Sequence, residues 1–227
     1  MSISPSPPVF QHPSSKPLAS FGRRRGRKLR GARQEALQDT LPLLQLKLEE
    51  VSALPRPLCI EIGFGGGEHL LAQAQANPDV HFIGCEPYMD GVANLLKTAA
   101  PKNLRIFPDD ARLLLPHLPP ASVDAVFILF PDPWPKARHH KRRLIQPALL
   151  AELARVMVPG GRLLLATDHA DYLSWMLMHV LACKDFTWTA KTATDWSQPP
   201  AGWVRTRYQE KAEKEGRPAT WLELRRT

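Results

Sequence analysis

The chain has 227 residues, 44% of them apolar, and a formal net charge of +8 from 30 Lys and Arg against 22 Asp and Glu. That suits one domain with a tail and a sizeable core, and the basic balance favours nucleic acid or an anionic surface as partner. No apolar run approaches the roughly 20 residues of a membrane span, and the opening MSISPSPPVF has neither the charged nor the apolar region of a secretory signal.

Residues 1–20 are rich in Pro and Ser and are expected to be a disordered tail. Residues 1–34 lack acids, as a transit peptide does, but their Pro density would spoil an amphipathic helix. Residues 21–50 read as a basic arm, FGRRRGRKLRGAR, and a helix from about Gln34 to Glu49 interrupted near Pro42. The arm is either a solvated charge run or a contact for phosphates. Residues 51–227 read as one catalytic domain in which strands alternate with helices.

The predicted strands are PLCIEIGFG, VHFIGCEP, NLRIFPDD, VDAVFILF and GRLLLATD, with DFTWTA and TWLELRR supplying two more. Predicted helices lie between them at EHLLAQAQAN, GVANLLKTAA, ARLLLPHL, IQPALLAELARVM and YLSWMLMHVLAC. The fourth is expected to stop at Pro159-Gly160-Gly161. Such alternation implies an α/β fold with a doubly wound, mainly parallel, seven-stranded sheet of the Rossmann-like kind. Ligands on such sheets bind at the carboxyl ends of the strands. Cys59, Cys85 and Cys183 are far apart and odd in number. They read as thiols in a reducing, cytoplasmic compartment rather than as disulfides or metal ligands.

The loop Glu61 to Gly67, EIGFGGG, joins the first strand to a helix. Gly63 and Gly65 allow backbone to approach a ligand, and Glu86 ends the second strand, where an acid grips ribose hydroxyls. NAD needs the helix N-terminus for its pyrophosphate. Here Glu61 and Glu68 flank that end, which suits the sulfonium and ammonium of S-adenosylmethionine instead. Asp110, after the third strand, either meets an adenine amino group or caps the next helix, and both roles can hold together. Asp168 ends the fifth strand and either faces the cleft or caps the following helix.

The fourth strand leaves through FPDPWPKARHHKRR. Pro131 and Pro133 stiffen the presentation of Asp132. Lys136, Arg138, Lys141, Arg142 and Arg143 can neutralise a phosphate backbone. His139 and His140 read as backbone or phosphate contacts, and no metal site is expected.

These residues together resemble the tRNA (guanine-N7-)-methyltransferase family. The resemblance is carried by EIGFGGGEHL, GCEP, FPDPWPKARHHKRR, PGGRLLLATD and TRYQ, with the basic arm before them, and it covers residues 20 to 227. It implies a class I S-adenosylmethionine-dependent methyltransferase that binds tRNA and methylates N7 of guanine at position 46 of the variable loop, forming 7-methylguanosine. No membrane and no obligate protein partner are expected, and the chain would be a monomer or homodimer. It further implies that Glu61, Gly63, Gly65, Glu86, Asp110 and Asp132 bind the cofactor and that Asp132 is the catalytic acid. Lys136, Asp168, Thr206, Arg207, Tyr208 and Gln209 would bind the substrate. The family usually has Glu where Gln209 stands: either Gln209 keeps the hydrogen bonds without the charge, or a small shift lets Glu210 serve. Rival readings are a methyltransferase for another amine, an RNA-binding protein without chemistry, and a dehydrogenase.

Overall fold

The computed structural model describes residues 29–227. The expected disordered tail and most of the basic arm lie outside the described residues. The chain enters through a helical stretch of α1 (Ala32–Glu35), a π-helical turn (Ala36–Thr40) and α2 (Leu41–Leu44). The wide turn falls just before Pro42, whose nitrogen has no proton to donate. There the Leu41 N–H reaches back five residues to the Ala36 carbonyl. A 3-10 turn, Leu48–Ala53, follows, so the helix expected over 34–49 is broken as Pro42 suggested but also unwinds after Leu44. Leu41 and Leu46 are buried, and Gln45 bridges Ile106. This segment is thus part of the same core.

The strands are β1 (Leu58–Ile62), β2 (His81–Cys85), β3 (Leu104–Phe107), β4 (Val123–Leu129), β5 (Met157–Thr167), β6 (Phe186–Trp188) and β7 (Thr220–Arg226). They form one sheet in the order β3-β2-β1-β4-β5-β7-β6. The first five strands pair in parallel, and β7 runs antiparallel to both β5 and β6. Strand order reverses between β1 and β4, so a crevice opens above their carboxyl ends.

Helices α3 (Glu68–Ala76), α4 (Met89–Leu95), α5 (Ala111–Leu114), α6 (Pro147–Val156) and α7 (Ala170–Ala182) connect the strands, and α8 (Thr194–Ser197) and α9 (Arg207–Lys214) lie between β6 and β7. The inner strands bury both faces, which explains their continuous apolar runs. Leu70, Leu71, Val92 and Leu95 pack with Phe82 and Leu104 in one cluster. Leu149, Leu153, Met176 and Val180 pack with Ile60, Val126 and Leu163 in another. Each such side chain contributes about 1.5–3 kcal/mol through the apolar surface it removes from water.

Pro159-Gly160-Gly161 does not end the helix as expected. Helix α6 stops at Val156 and β5 begins at Met157. Val123 pairs with Met157 but Ala125 pairs with Arg162, so the three residues form a bulge inside β5. Gly160 has φ +76, and a Cβ on Gly161 would lie 2.8 Å from the Val158 carbonyl oxygen. The glycines serve the bulge rather than a helix cap. All three cysteines are free; burial pushes the Cys59 thiol up to about 12 and Cys85 higher still. Among the described residues no helix is long and apolar enough to cross a membrane.

Candidate functional site

A cavity of about 410 Å³ lies above the carboxyl ends of β1, β2 and β4. Its floor is Ile62, Gly63 and Gly65, its walls are Glu86, Tyr88, Asp110 and Arg112, and its rim is Asp132, Trp134, Arg142 and Tyr208. Gly63 and Gly65 have φ +77 and +54, which favours glycine. The Gly63 N–H bonds the Cys85 carbonyl at 2.8 Å, tying the loop to β2.

Glu86 is buried beneath this loop. Its two oxygens accept the N–H groups of Gly65 at 2.8 Å and Tyr88 at 2.9 Å. Burial raises its carboxyl above the ordinary range; the two backbone bonds oppose the shift, and the charges of Asp132 and Glu61 add to it. Asp110 accepts the Arg112 N–H at 3.0 Å as cap of α5, and takes the guanidinium of Arg112 in a fork at 2.8 and 2.6 Å. It therefore caps a helix and lines the cavity at once.

Asp132 stands on a constrained corner. Phe130 and Trp134, two residues away on either side, have φ +51 and +44, which bulky residues rarely adopt. The Phe130 N–H bonds the Ala166 carbonyl at 2.8 Å and anchors the corner to β5. Asp132 is exposed, yet the surrounding walls remove enough water to raise its carboxyl above the usual range. Tyr208 is 60% exposed and its ring covers Gly65, where a Cβ would lie 3.1 Å from Cε2. Its phenol is raised first by burial and then by Glu86 and Asp132, so these three groups share one field.

The basic run divides into three. Lys136, Arg138 and Lys141 are exposed on and beside the 3-10 turn Ala137–Arg142. Arg142 turns into the cavity, with its guanidinium 4.9 Å from the centroid of Trp134. Arg143 is only 1% exposed, which corrects its expected role as a phosphate contact: it faces the protein. His139 is held below its ordinary value first by burial and then by Arg142, Arg138, Lys136 and Lys141, a measure of the positive charge concentrated here.

The other expected residues lie around this centre rather than in it. Glu61 does not line the cavity; its Oε2 lies 2.7 Å from Nδ1 of His69, and both side chains are buried. Asp168 accepts Nε of Arg217 at 2.8 Å and does not cap α7, whose cap residue is His169. Thr206 caps α9 by accepting the Gln209 N–H at 3.3 Å. Arg207 is exposed and paired with Glu68 at the start of α3. Gln209 is buried while Glu210 is exposed. Gln209 accepts the Trp203 indole N–H at 2.6 Å and donates to Glu213 at 2.9 Å. These bonds lie within the protein.

Sequence reading missed Tyr88, Arg112 and His69. Each lies one or two residues from an acid that was recognised, and that proximity was the available signal. Trp203, unremarked in the sequence, sits with its ring centroid 5.3 Å from His69 and 5.6 Å from Trp221.

The family model described as "Putative methyltransferase" matches residues 55–222. A tRNA (guanine-N(7)-)-methyltransferase of Rhodospirillum rubrum is 46% identical over 221 residues, covering 91% of this chain and 87% of the relative. One of Rhizobium meliloti is 44% identical over 220 residues, covering 92% and 95%. Among solved structures, the antibiotic-resistance methyltransferase Kmr aligns with a TM-score of 0.51 at 18% identity, over 79% of this chain and 91% of that one, a likeness of fold. A Rossmann-like methyltransferase fold, a family model spanning most of the sequence and relatives of this similarity along nearly their whole length agree: the chain belongs to the tRNA (guanine-N(7)-)-methyltransferase family.

Proposed function

We propose that this protein transfers a methyl group from S-adenosylmethionine to N7 of guanine at position 46 in the variable loop of tRNA. The observation that carries the reading is the position of Asp132: a carboxylate on a constrained corner, at the rim of a cavity whose opposite side is the glycine loop and Glu86.

The residues present fit the cofactor. A cavity of about 410 Å³ is of the size that encloses small molecules. Glu86 suits ribose hydroxyls, Gly63 and Gly65 offer backbone without side chains, and Asp110 suits an adenine amino group. Glu61 and, although paired with Arg207, Glu68 bring carboxyl groups to the loop, which suits an ammonium and disfavours a pyrophosphate. When bound, S-adenosylmethionine supplies an electrophilic methyl group.

Guanine N7 has an in-plane lone pair and no proton, so the site needs no general base. Positive charge grows on the base as it is alkylated, and the carboxylate of Asp132 offsets it across a short, partly dehydrated gap. Trp134 and Tyr208 offer flat faces at the rim to hold a base splayed from its stack. Lys136, Arg138 and Lys141 lie outside the rim, where a phosphate backbone would run. Asp168, Thr206, Arg207 and Gln209 order the segment that carries Tyr208. In this reading the protein acts in the cytoplasm as a monomer or homodimer without an obligate partner.

The test is incubation with labelled S-adenosylmethionine and unmodified tRNA, followed by nucleoside analysis. The expected product is 7-methylguanosine, absent with Asp132→Ala while tRNA still binds. Label in another nucleoside, or equal loss of turnover and tRNA affinity in that variant, overturns the assignment.

A further inference from the structure

We propose that Arg143 is a positioning residue for Asp132, acting through the backbone of the Pro131–Trp134 corner. This rests on the reading of Asp132 as the group that faces the reacting base. A buried guanidinium is costly unless it is fully paired, so its partners indicate what it is for. Its Nε donates to the Pro133 carbonyl at 2.8 Å. Its NH2 pairs with Asp171. Its carbon lies 5.1 Å from the ring centroids of both Tyr172 and Trp175. That cage is itself tied down. Tyr172 accepts the N–H groups of Leu144 and Ile145 at 3.1 and 3.2 Å, and the Trp175 indole donates to the Ile145 carbonyl at 2.7 Å.

The bond to Pro133 acts on the torsions that the sequence leaves free. Proline rings fix φ at 131 and 133, and Asp132, preceding a proline, is confined to extended ψ. Among the torsions left soft are ψ of Pro133 and φ of Trp134, which sits at +44. Those two torsions rotate about the two ends of the Pro133–Trp134 peptide. A donor fixed on the Pro133 oxygen holds that peptide, and so anchors the C-terminal side of the corner that carries Asp132 and the start of Trp134. Lysine cannot repeat this, because one ammonium lacks the planar fork that serves the carbonyl and the carboxylate together.

The experiment compares wild type, Arg143→Lys and Asp171→Asn by steady-state methylation, by binding of tRNA and of S-adenosylmethionine, and by the salt dependence of tRNA binding. We expect kcat to fall at least tenfold in Arg143→Lys and less in Asp171→Asn, with both affinities within about twofold and an unchanged salt slope. The acid limb of the kcat profile should also move, since Asp132 changes its surroundings. Wild-type kcat in folded Arg143→Lys, or a flattened salt slope with lost tRNA affinity, overturns the proposal. If Arg143→Lys does not fold, Asp171→Asn decides: Asp171 is largely exposed, and wild-type kcat there has the same force. Absence of 7-methylguanosine with wild type would instead sink the functional reading itself.

Discussion

His69 Nδ1 lies 2.7 Å from Glu61 Oε2, and neither side chain is more than 4% exposed. The pair joins the end of β1 to the first turn of α3 beneath the glycine loop. The His69 ring also meets Phe127 edge-on and Trp203 at a tilt. His69→Phe preserves ring volume and removes the hydrogen bond, leaving a buried carboxylate short of a partner. The expected cost is about 1–3 kcal/mol, read as a lower Tm, with weaker binding of S-adenosylmethionine in calorimetry. An unchanged Tm and affinity would show that Glu61 is satisfied by other means.

Gln209 is buried between two partners. Its amide accepts from Trp203 and donates to the Glu213 carboxylate. A carboxylate can accept but cannot donate. Gln209→Glu would therefore set two carboxylates at the 2.9 Å now spanned by a hydrogen bond. We expect a lower Tm at neutral pH that recovers on mild acidification, as one of the pair takes up a proton. Gln209→Glu/Glu213→Gln should restore stability by reversing donor and acceptor. Failure of that double variant to rescue Tm would sink the explanation.

Burial raises the carboxyl group of Glu86, and the walls around the exposed Asp132 remove enough water to raise its carboxyl as well. Each therefore takes up a proton at a pH where an ordinary carboxylate is still charged, and methyl transfer should decline on the acid side earlier than ordinary carboxylates would dictate. The effect on stability has the opposite sign. In the window between the unfolded and folded values the native state binds more protons, so stability falls as pH rises through it. Because Asp132 is exposed, its share of this slope is small. Asp132→Asn should abolish most turnover while keeping or raising Tm, and thermal denaturation from mild acid to neutral pH measures both slopes. A large drop in Tm would mean that Asp132 supports the corner rather than being supported by it.

Seven strands were legible because their apolar runs are short and bounded by turn residues. The acids at the ends of β2, β3 and β4 were legible because topology places strand ends at the crevice. What could not be read was side-chain direction. Arg142 and Arg143 are neighbours in one basic run, yet one lines the cavity and the other is buried behind the corner, because the turn Ala137–Arg142 ends between them. Charge alone cannot tell these apart. The Pro-Gly-Gly bulge was misread for a related reason: the same residues suit a helix stop and a strand kink, and only pairing with β4 decides.

The exposed cations Lys136, Arg138 and Lys141 should act on the polyanion and nothing else. Each phosphate contact releases condensed counterions, so log K falls with log salt by about 0.7–0.9 per contact. Replacing all three by Ala should flatten the slope by about 2–3 and raise KM for tRNA, with a smaller change in kcat at saturating tRNA. Fluorescence titration of tRNA at four or five salt concentrations gives the slope directly. A slope that stays at the wild-type value would move the phosphate path elsewhere, toward the arginines of the N-terminal arm. A fall in kcat with the slope intact would place the run in the chemistry, where Arg142 over Trp134 already stands.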